Sequence, residues 1–180
     1  MDVIHFPDDP RPVRWVSPVL ALGNFDGLHR GHQKIIERVR RSAADRGGVG
    51  VVLTFDPHPP RVVRPDKAPP LLMTMPQKLA AIQRAGAHGV AVVRFTPELS
   101  RFTPEAFVRT VLVDWLRVAE VWVGADFLFG HERAGTFSIL LPDPIPPIVT
   151  RFVIVDGGKE LRIVVVSPQA NLTLAQGRKL

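Results

Sequence analysis

Val19-Leu20-Ala21-Leu22-Gly23-Asn24-Phe25-Asp26-Gly27-Leu28-His29-Arg30-Gly31-His32-Gln33-Lys34-Ile35-Ile36 is the stretch that decides the fold of this 180-residue chain. Val19 to Leu22 is a short apolar run of the kind a strand buried on both faces shows. From His32 onward, apolar side chains fall at Ile35, Ile36, Val39 and Ala43, which is helical spacing. Between strand and helix lie Gly23, Gly27 and Gly31, with two histidines three residues apart. Small residues let backbone approach a ligand closely, and a helix N-terminus presents unpaired N–H groups and a positive dipole end to phosphate. A helix starting near Arg30 puts His29 and His32 on that end. Imidazoles there are placed to donate to a phosphate oxygen as charge builds on it.

The rest of the chain sets the limits. Apolar residues make up 46% and charged residues 22%, a globular composition with enough length for one domain and a real core. No apolar stretch is long enough to span a bilayer, and Met1-Asp2-Val3-Ile4-His5 lacks the basic and apolar regions of a signal peptide. With no cysteine there are no disulfides, thiolate metal sites or thiol nucleophiles. A cytoplasmic location is the expectation. The formal charge of +6 suits anionic nucleotides and phosphates as readily as nucleic acid or a solvated surface. The arginines are scattered apart from Arg38, Arg40 and Arg41, and no aromatic-interleaved basic stripe accompanies them. Charge alone does not decide among these, though nucleic acid is the less expected partner, and no membrane partner is expected.

Residues 1–16 read as an extended lead-in from which Trp15 packs on the body. Arg46-Gly47-Gly48 stops the first helix, and Val49 to Thr54 reads as a second buried strand. It runs into Phe55-Asp56-Pro57-His58-Pro59-Pro60, where prolines end sheet pairing, and a proline-rich loop continues to about Leu71. Thr74-Met75-Pro76-Gln77 fits a capping box, with Leu79, Ile82 and Ala85 facing inward. Val90 to Arg94 is a third strand. Thr103-Pro104-Glu105 opens a helix that buries Phe107, Val108, Val111, Leu112 and Trp115, and Val118 to Val123 is a fourth strand. Arg151–Asp156 and Leu161–Val166 flank Gly157-Gly158 as an antiparallel hairpin. This rhythm predicts an α/β fold: a Rossmann-like, doubly wound parallel sheet with right-handed crossovers and a C-terminal hairpin. Ligands in such sheets bind beyond the carboxyl ends of the strands, which gathers the 23–32, 55–60 and 124–130 loops on one rim.

Within that rim the alternatives differ in strength. His29 and His32 have metal-pair spacing, but no third ligand lies close by and the glycines suit phosphate better. His58, between Pro57 and Pro59, is either a rim residue or part of a rigid turn. In Gly124-Ala125-Asp126-Phe127-Leu128-Phe129-Gly130, the phenylalanines either line a flat aromatic ligand or join the core. Asp126 either orients that ligand or caps the next segment.

Taken together these residues resemble the adenylyltransferase module of the bacterial bifunctional riboflavin kinase/FMN adenylyltransferase family. The matching pieces are Gly23 to His32, Thr54-Phe55-Asp56-Pro57-His58-Pro59, Lys78-Leu79, Phe102 to Phe107, and Val123 to Gly130 with Arg133-Ala134-Gly135. They hold their order and spacing from about residue 17 to 138. The H-x-G-H element alone marks the wider nucleotidyltransferase superfamily; Thr-Phe-Asp-Pro-His-Pro and Asp-Phe-Leu-Phe-Gly narrow it to flavin. The resemblance implies an FAD synthetase that transfers AMP from ATP to FMN, giving FAD and pyrophosphate, with Mg2+ carried by the ATP and no metal site of its own. It implies that His29 and His32 contact the ATP phosphates and that Gly23, Asn24, Phe25, Asp26, Gly31 and Ser167 form the nucleotide site. Pro57, His58, Pro59, Gly124, Asp126, Phe127 and Phe129 would hold the flavin.

Two departures accompany the resemblance. The chain has no length for a riboflavin kinase barrel, so one domain over 1–180 is expected, with a family-like core at 17–138 and a diverged tail at 139–180. The family's Ser-Ser-Thr-x-x-Arg motif is replaced by Val166-Ser167-Pro168-Gln169-Ala170-Asn171, where only Ser167 survives and Asn171 takes the arginine position. Asparagine cannot supply the charge-assisted, bidentate bonds of an arginine phosphate clamp, which implies weaker turnover. The alternatives are a homologue that binds nucleotide or flavin without turnover, and a related nucleotidyltransferase with another phosphorylated acceptor.

Overall fold

Val19–Leu22 (β2) has every side chain buried because it lies inside a sheet covered on both faces. The computed structural model describes residues 1–124 and the backbone of 151–156 and 159–164. On either side of β2 lie Gly50–Asp56 (β3) and Glu120–Gly124 (β5), both parallel to it. Gly89–Arg94 (β4) pairs parallel with β3, and Arg151–Asp156 (β6) parallel with β5. Lys159–Val164 (β7) returns antiparallel on β6, so the expected hairpin forms, with its second strand starting two residues earlier than Leu161.

One expectation for the N-terminus is corrected. Asp2–Phe6 is not a lead-in but a strand (β1), parallel to β4 from Asp2↔Gly89 to Phe6↔Val93. Five residues with polar side chains among them give too short a periodic signal to identify an edge strand; its partner, β4, supplies the pairing. Trp15 is fully buried, as expected, and its indole Nε1 donates to Asp2 at 2.9 Å. The sheet order is β1-β4-β3-β2-β5-β6-β7. The chain moves outward in one direction from β2 to β3 and β4, then in the other to β5, so the topological switch falls between β2 and β5.

Alternation along the strands divides the core in two, as a doubly wound sheet requires. Val19, Ala21, Val52, Val90, Val92 and Trp122 face the helices Arg30–Ala44 (α1) and Met75–Arg84 (α3), meeting Ile36, Val39, Ala43, Ala81 and Ile82. Leu20, Leu22, Leu53, Val93 and Val121 face the opposite layer. That layer comprises Pro97–Ser100 (α4), Pro104–Phe107 (α5) and a π-helical continuation over Val108–Trp115. The capping box of α3 forms as read: Thr74 accepts from Gln77 N–H and the Gln77 side chain accepts from Thr74 N–H. Leu79 and Ala85 are only partly buried; the inward positions are Lys78, Ala81 and Ile82. The proline-rich loop to Leu71 is also corrected, because Pro59–Val63 is a short helix (α2) and Pro65–Lys67 a 3-10 turn. Proline fits the first turn of a helix, where its missing N–H costs nothing. Among the described residues no helix is long and apolar enough to cross a membrane.

Candidate active site

Parallel pairing delivers Gly23 at the end of β2, Asp56 at the end of β3 and Gly124 at the end of β5 to one rim, beside the switch point. From there the 23–29 loop enters α1 through a tightly determined path. Phe25 and Leu28 are buried with φ of +50 and +29, and Gly27 has φ +77. A non-glycine residue in that region costs on the order of 1–3 kcal/mol and persists only where its surroundings hold it. Here they do. Gly23 N–H donates to Leu53 at 3.2 Å, and the Asn24 carbonyl accepts from Thr54 Oγ1 at 2.8 Å and Lys78 Nζ at 2.8 Å. The Leu28 carbonyl accepts from Gln33 Nε2 at 3.0 Å. At φ +77 Gly27 lies in the left-handed region that favours glycine, whereas the nearest atom to an added Cβ is only the end of the exposed Leu72 side chain.

The two histidines converge as the sequence predicts. His29 is the N-cap of α1, and its Nδ1 accepts from Gly31 N–H at 3.2 Å. An accepting Nδ1 carries no proton, so the ring's N–H is at Nε2. The His29 and His32 rings stack with centroids 3.8 Å apart and planes inclined by 23°, and Phe25 packs against His32 at 4.9 Å. His29 is exposed and His32 half-buried. Gly31 permits this arrangement: a Cβ there would press on the His29 ring at 3.1 Å. The helix opens with no acidic residue in its first turn, so no side chain of that turn neutralises the positive end of its dipole.

Asp26 acts inside the protein as well as on the rim. Its carboxylate accepts from Leu72 N–H at 3.0 Å and Met73 N–H at 3.1 Å, tying the segment before α3 to the loop. His58 is the N-cap residue of α2, flanked by Pro57 and Pro59, and half-buried. Burial pushes its pKa down, the Lys78 and Arg61 cations push the same way, and Asp26 opposes them. His58 therefore belongs to the same cluster of charges as the 23–29 loop, which the sequence left open.

This rim, with its stacked imidazoles at a helix mouth, coincides with a sequence match: the FAD synthetase family covers residues 13–142. The chain belongs to the FAD synthetase family. The bifunctional riboflavin kinase/FMN adenylyltransferase of Escherichia coli (strain K12) is 37% identical over 122 residues, 68% of this chain and 39% of that protein. The protein of the same name from Bacillus subtilis (strain 168) is 35% identical over 126 residues, 69% and 40% of the two chains. The match thus spans about two-fifths of the length of these curated relatives. A crystal structure described as a macrolide-efflux protein from Streptococcus pneumoniae aligns with TM-score 0.69 at 21% identity, covering 86% of this chain and 51% of that one. At that identity the likeness shows the fold alone.

For this FAD synthetase family chain, Gly23, Asn24, Phe25, Asp26, His29, Gly31 and His32 share one loop-and-helix unit, and Pro57, His58 and Pro59 follow the adjacent strand. Gly124 ends β5 on the other side of the switch. Asp126, Phe127, Phe129 and Ser167 lie outside the described residues. Among the described residues, no group of three or more His, Asp or Glu side chains is arranged to hold a metal. Lys78 was not among the expected site residues. Its signal was a lysine four residues before Ile82, on the apolar stripe of a well-capped helix.

Proposed function

We propose that this chain adenylylates FMN: the FMN phosphate attacks the α-phosphorus of ATP, an O–P bond forms, the bond to pyrophosphate breaks, and FAD results. The observation that carries the reading is the His29–His32 stack at the mouth of α1, on the switch-point rim of an FAD synthetase family domain. Two activities stand in the relatives' names; we assign adenylyl transfer to this stretch because the family matched over 13–142 is FAD synthetase.

The nucleophile is already a phosphate anion, so no covalent intermediate is needed. What the protein supplies is alignment and stabilisation of charge. His29, with its proton on Nε2, donates to a phosphate oxygen. His32 adds a second imidazole within stacking distance, and the N-terminus of α1, with no acidic residue in its first turn, adds its dipole. In this proposal Gly23, Asn24, Phe25, Asp26, Gly31 and Ser167 shape the nucleotide site. Pro57, His58, Pro59, Gly124, Asp126, Phe127 and Phe129 receive the flavin. Magnesium enters bound to the triphosphate, the mode in which the ion keeps its waters and takes few protein ligands; it neutralises phosphate charge there. The proposal includes a cytoplasmic setting, where ATP is made and held.

The test is FAD formation from ATP and FMN, followed by chromatography, beside calorimetry with each substrate. His29→Ala and His32→Ala are each expected to lower FAD formation by roughly 100-fold to 1,000-fold, the usual cost of losing a transition-state donor, while FMN affinity changes little. Unaltered activity in either variant removes that residue from the mechanism, and no FAD from the unaltered chain refutes the assignment.

A further inference from the structure

Lysine seldom sits in the apolar stripe of a helix, because a buried ammonium loses its hydration. Lys78 does so, only 4% exposed, on the inward side of α3 beside Ala81 and Ile82. Its Nζ donates to the Asn24 carbonyl at 2.8 Å and to Thr54 Oγ1 at 3.3 Å. The Thr54 hydroxyl, itself fully buried, donates to the same carbonyl at 2.8 Å. Ammonium, hydroxyl and carbonyl thus close a triangle beneath the turn that leads to His29. Burial pushes the Lys78 pKa down, opposed by the carboxylates of Asp26, in the loop, and Asp56, the last residue of β3.

We infer that Lys78 is a positioning residue of the nucleotide site, fixing the Asn24 carbonyl and through it the strained turn that aims His29 and His32. The inference rests on the adenylyltransferase reading and deepens it. The turn does not hold itself, since Phe25 and Leu28, neither of them glycine, both lie at positive φ. An apolar side chain at position 78 leaves the Asn24 carbonyl with the Thr54 hydroxyl alone. Lys78 also joins three parts of the rim: the 23–29 loop through Asn24, the end of β3 through Thr54, and the segment before α3 through its own helix. A cation beneath a loop that takes a triphosphate adds to the attraction of the helix mouth.

A mere fastener and a positioning residue differ in what their loss does. Removing a fastener lowers stability and weakens both substrates alike; removing this ammonium acts on the nucleotide. Lys78→Met, which keeps most of the side-chain volume, is titrated calorimetrically with MgATP and separately with FMN, and its fold is followed by circular dichroism and thermal melting. The expected result is a folded protein whose Kd for MgATP rises by about tenfold or more, the scale of a lost charged hydrogen bond, with the FMN Kd within about twofold. Equal weakening of both substrates, or unchanged MgATP affinity in a folded variant, overturns the inference. Should Lys78→Met not fold, Thr54→Val, which keeps the cation and removes one of its two oxygen partners, is expected to weaken MgATP by about threefold; unchanged affinity there also overturns it. If the unaltered chain binds MgATP and FMN but makes no FAD, the adenylyltransferase reading falls while the Lys78 test still stands. If it does not bind MgATP, both fall.

Discussion

Among the described residues two charged side chains are buried, Glu120 at the rim where the strands begin and Lys78 at the edge where they end, and they are held in different ways. Glu120, fully buried, begins β5 at the edge away from the candidate site, in register with Val19. Its carboxylate accepts from Ser42 Oγ at 2.8 Å and from Trp122 Nε1, and pairs with Arg46 at 3.0 Å. Those partners come from α1, the loop after it and β5 itself, so the charge is met by groups of the frame, although Arg46 is itself exposed. Lys78, at the opposite rim, spends its hydrogen bonds on a loop carbonyl and a hydroxyl, and is opposed in charge by Asp26 of the loop and Asp56 at the end of β3. The contrast separates a charge that fastens the frame from one that shapes a site. A buried ion pair is weak evidence of net stabilisation, but removing one member leaves the other uncompensated.

Glu120→Ala is accordingly expected to have the largest effect on stability. It takes the acceptor from the buried Trp122 Nε1 and from the Ser42 hydroxyl, while the exposed Arg46 turns to solvent, and should cost about 3 kcal/mol, read from urea unfolding. The folded fraction should bind MgATP as before; a selective loss of nucleotide affinity would erase the distinction between the two edges. Gly27→Ala probes the other edge. At φ +77, with Leu72 Cδ1 at 2.7 Å from the added methyl, it should cost roughly 1–3 kcal/mol and reduce FAD formation more than its stability loss explains. Comparable losses in the two readouts would mean that the turn's shape does not matter to the chemistry.

The smallest effect concerns pH. His58 has its pKa lowered from 6.5 by burial and by Lys78 and Arg61. The unfolded chain takes up this proton near pH 6.5, the folded chain only at lower pH. The unfolded state thus binds more protons in that window, and stability falls as pH drops from about 6.5 through the lowered value. His58→Gln should flatten the change in unfolding midpoint between about pH 7.5 and about pH 5. An unchanged slope would show that His58 is not held by the Lys78 cluster.

Much of this was legible in the residues because the physics involved is local. A run such as Val19–Leu22 is apolar on both faces only if both faces are covered, and Thr74 with Gln77 makes a capping box wherever a helix follows. His29 at an N-cap with Gly31 beside it could likewise be read from neighbours in sequence. β1 could not, because an edge strand of mixed polarity is defined by its partner. Nor could the helical turns within 59–67, where prolines signal a break and a helix start alike. Lys78 left a trace, a cation on an apolar stripe, whose meaning depends on Asn24 and Thr54, distant along the chain.

The sequence by itself determined the alternation of strands and helices, the placing of two histidines at a helix mouth, and the family, since hydrophobic period, capping and glycine placement act over a few residues. Tertiary structure alone decided that Asp2–Phe6 completes the sheet and that Asp26 straps the segment before α3. It also decided that one ammonium meets the Asn24 carbonyl beneath the turn that leads to His29. Each of these depends on groups meeting across the fold, and a meeting of that kind is fixed by packing and pairing, which no short window of residues contains.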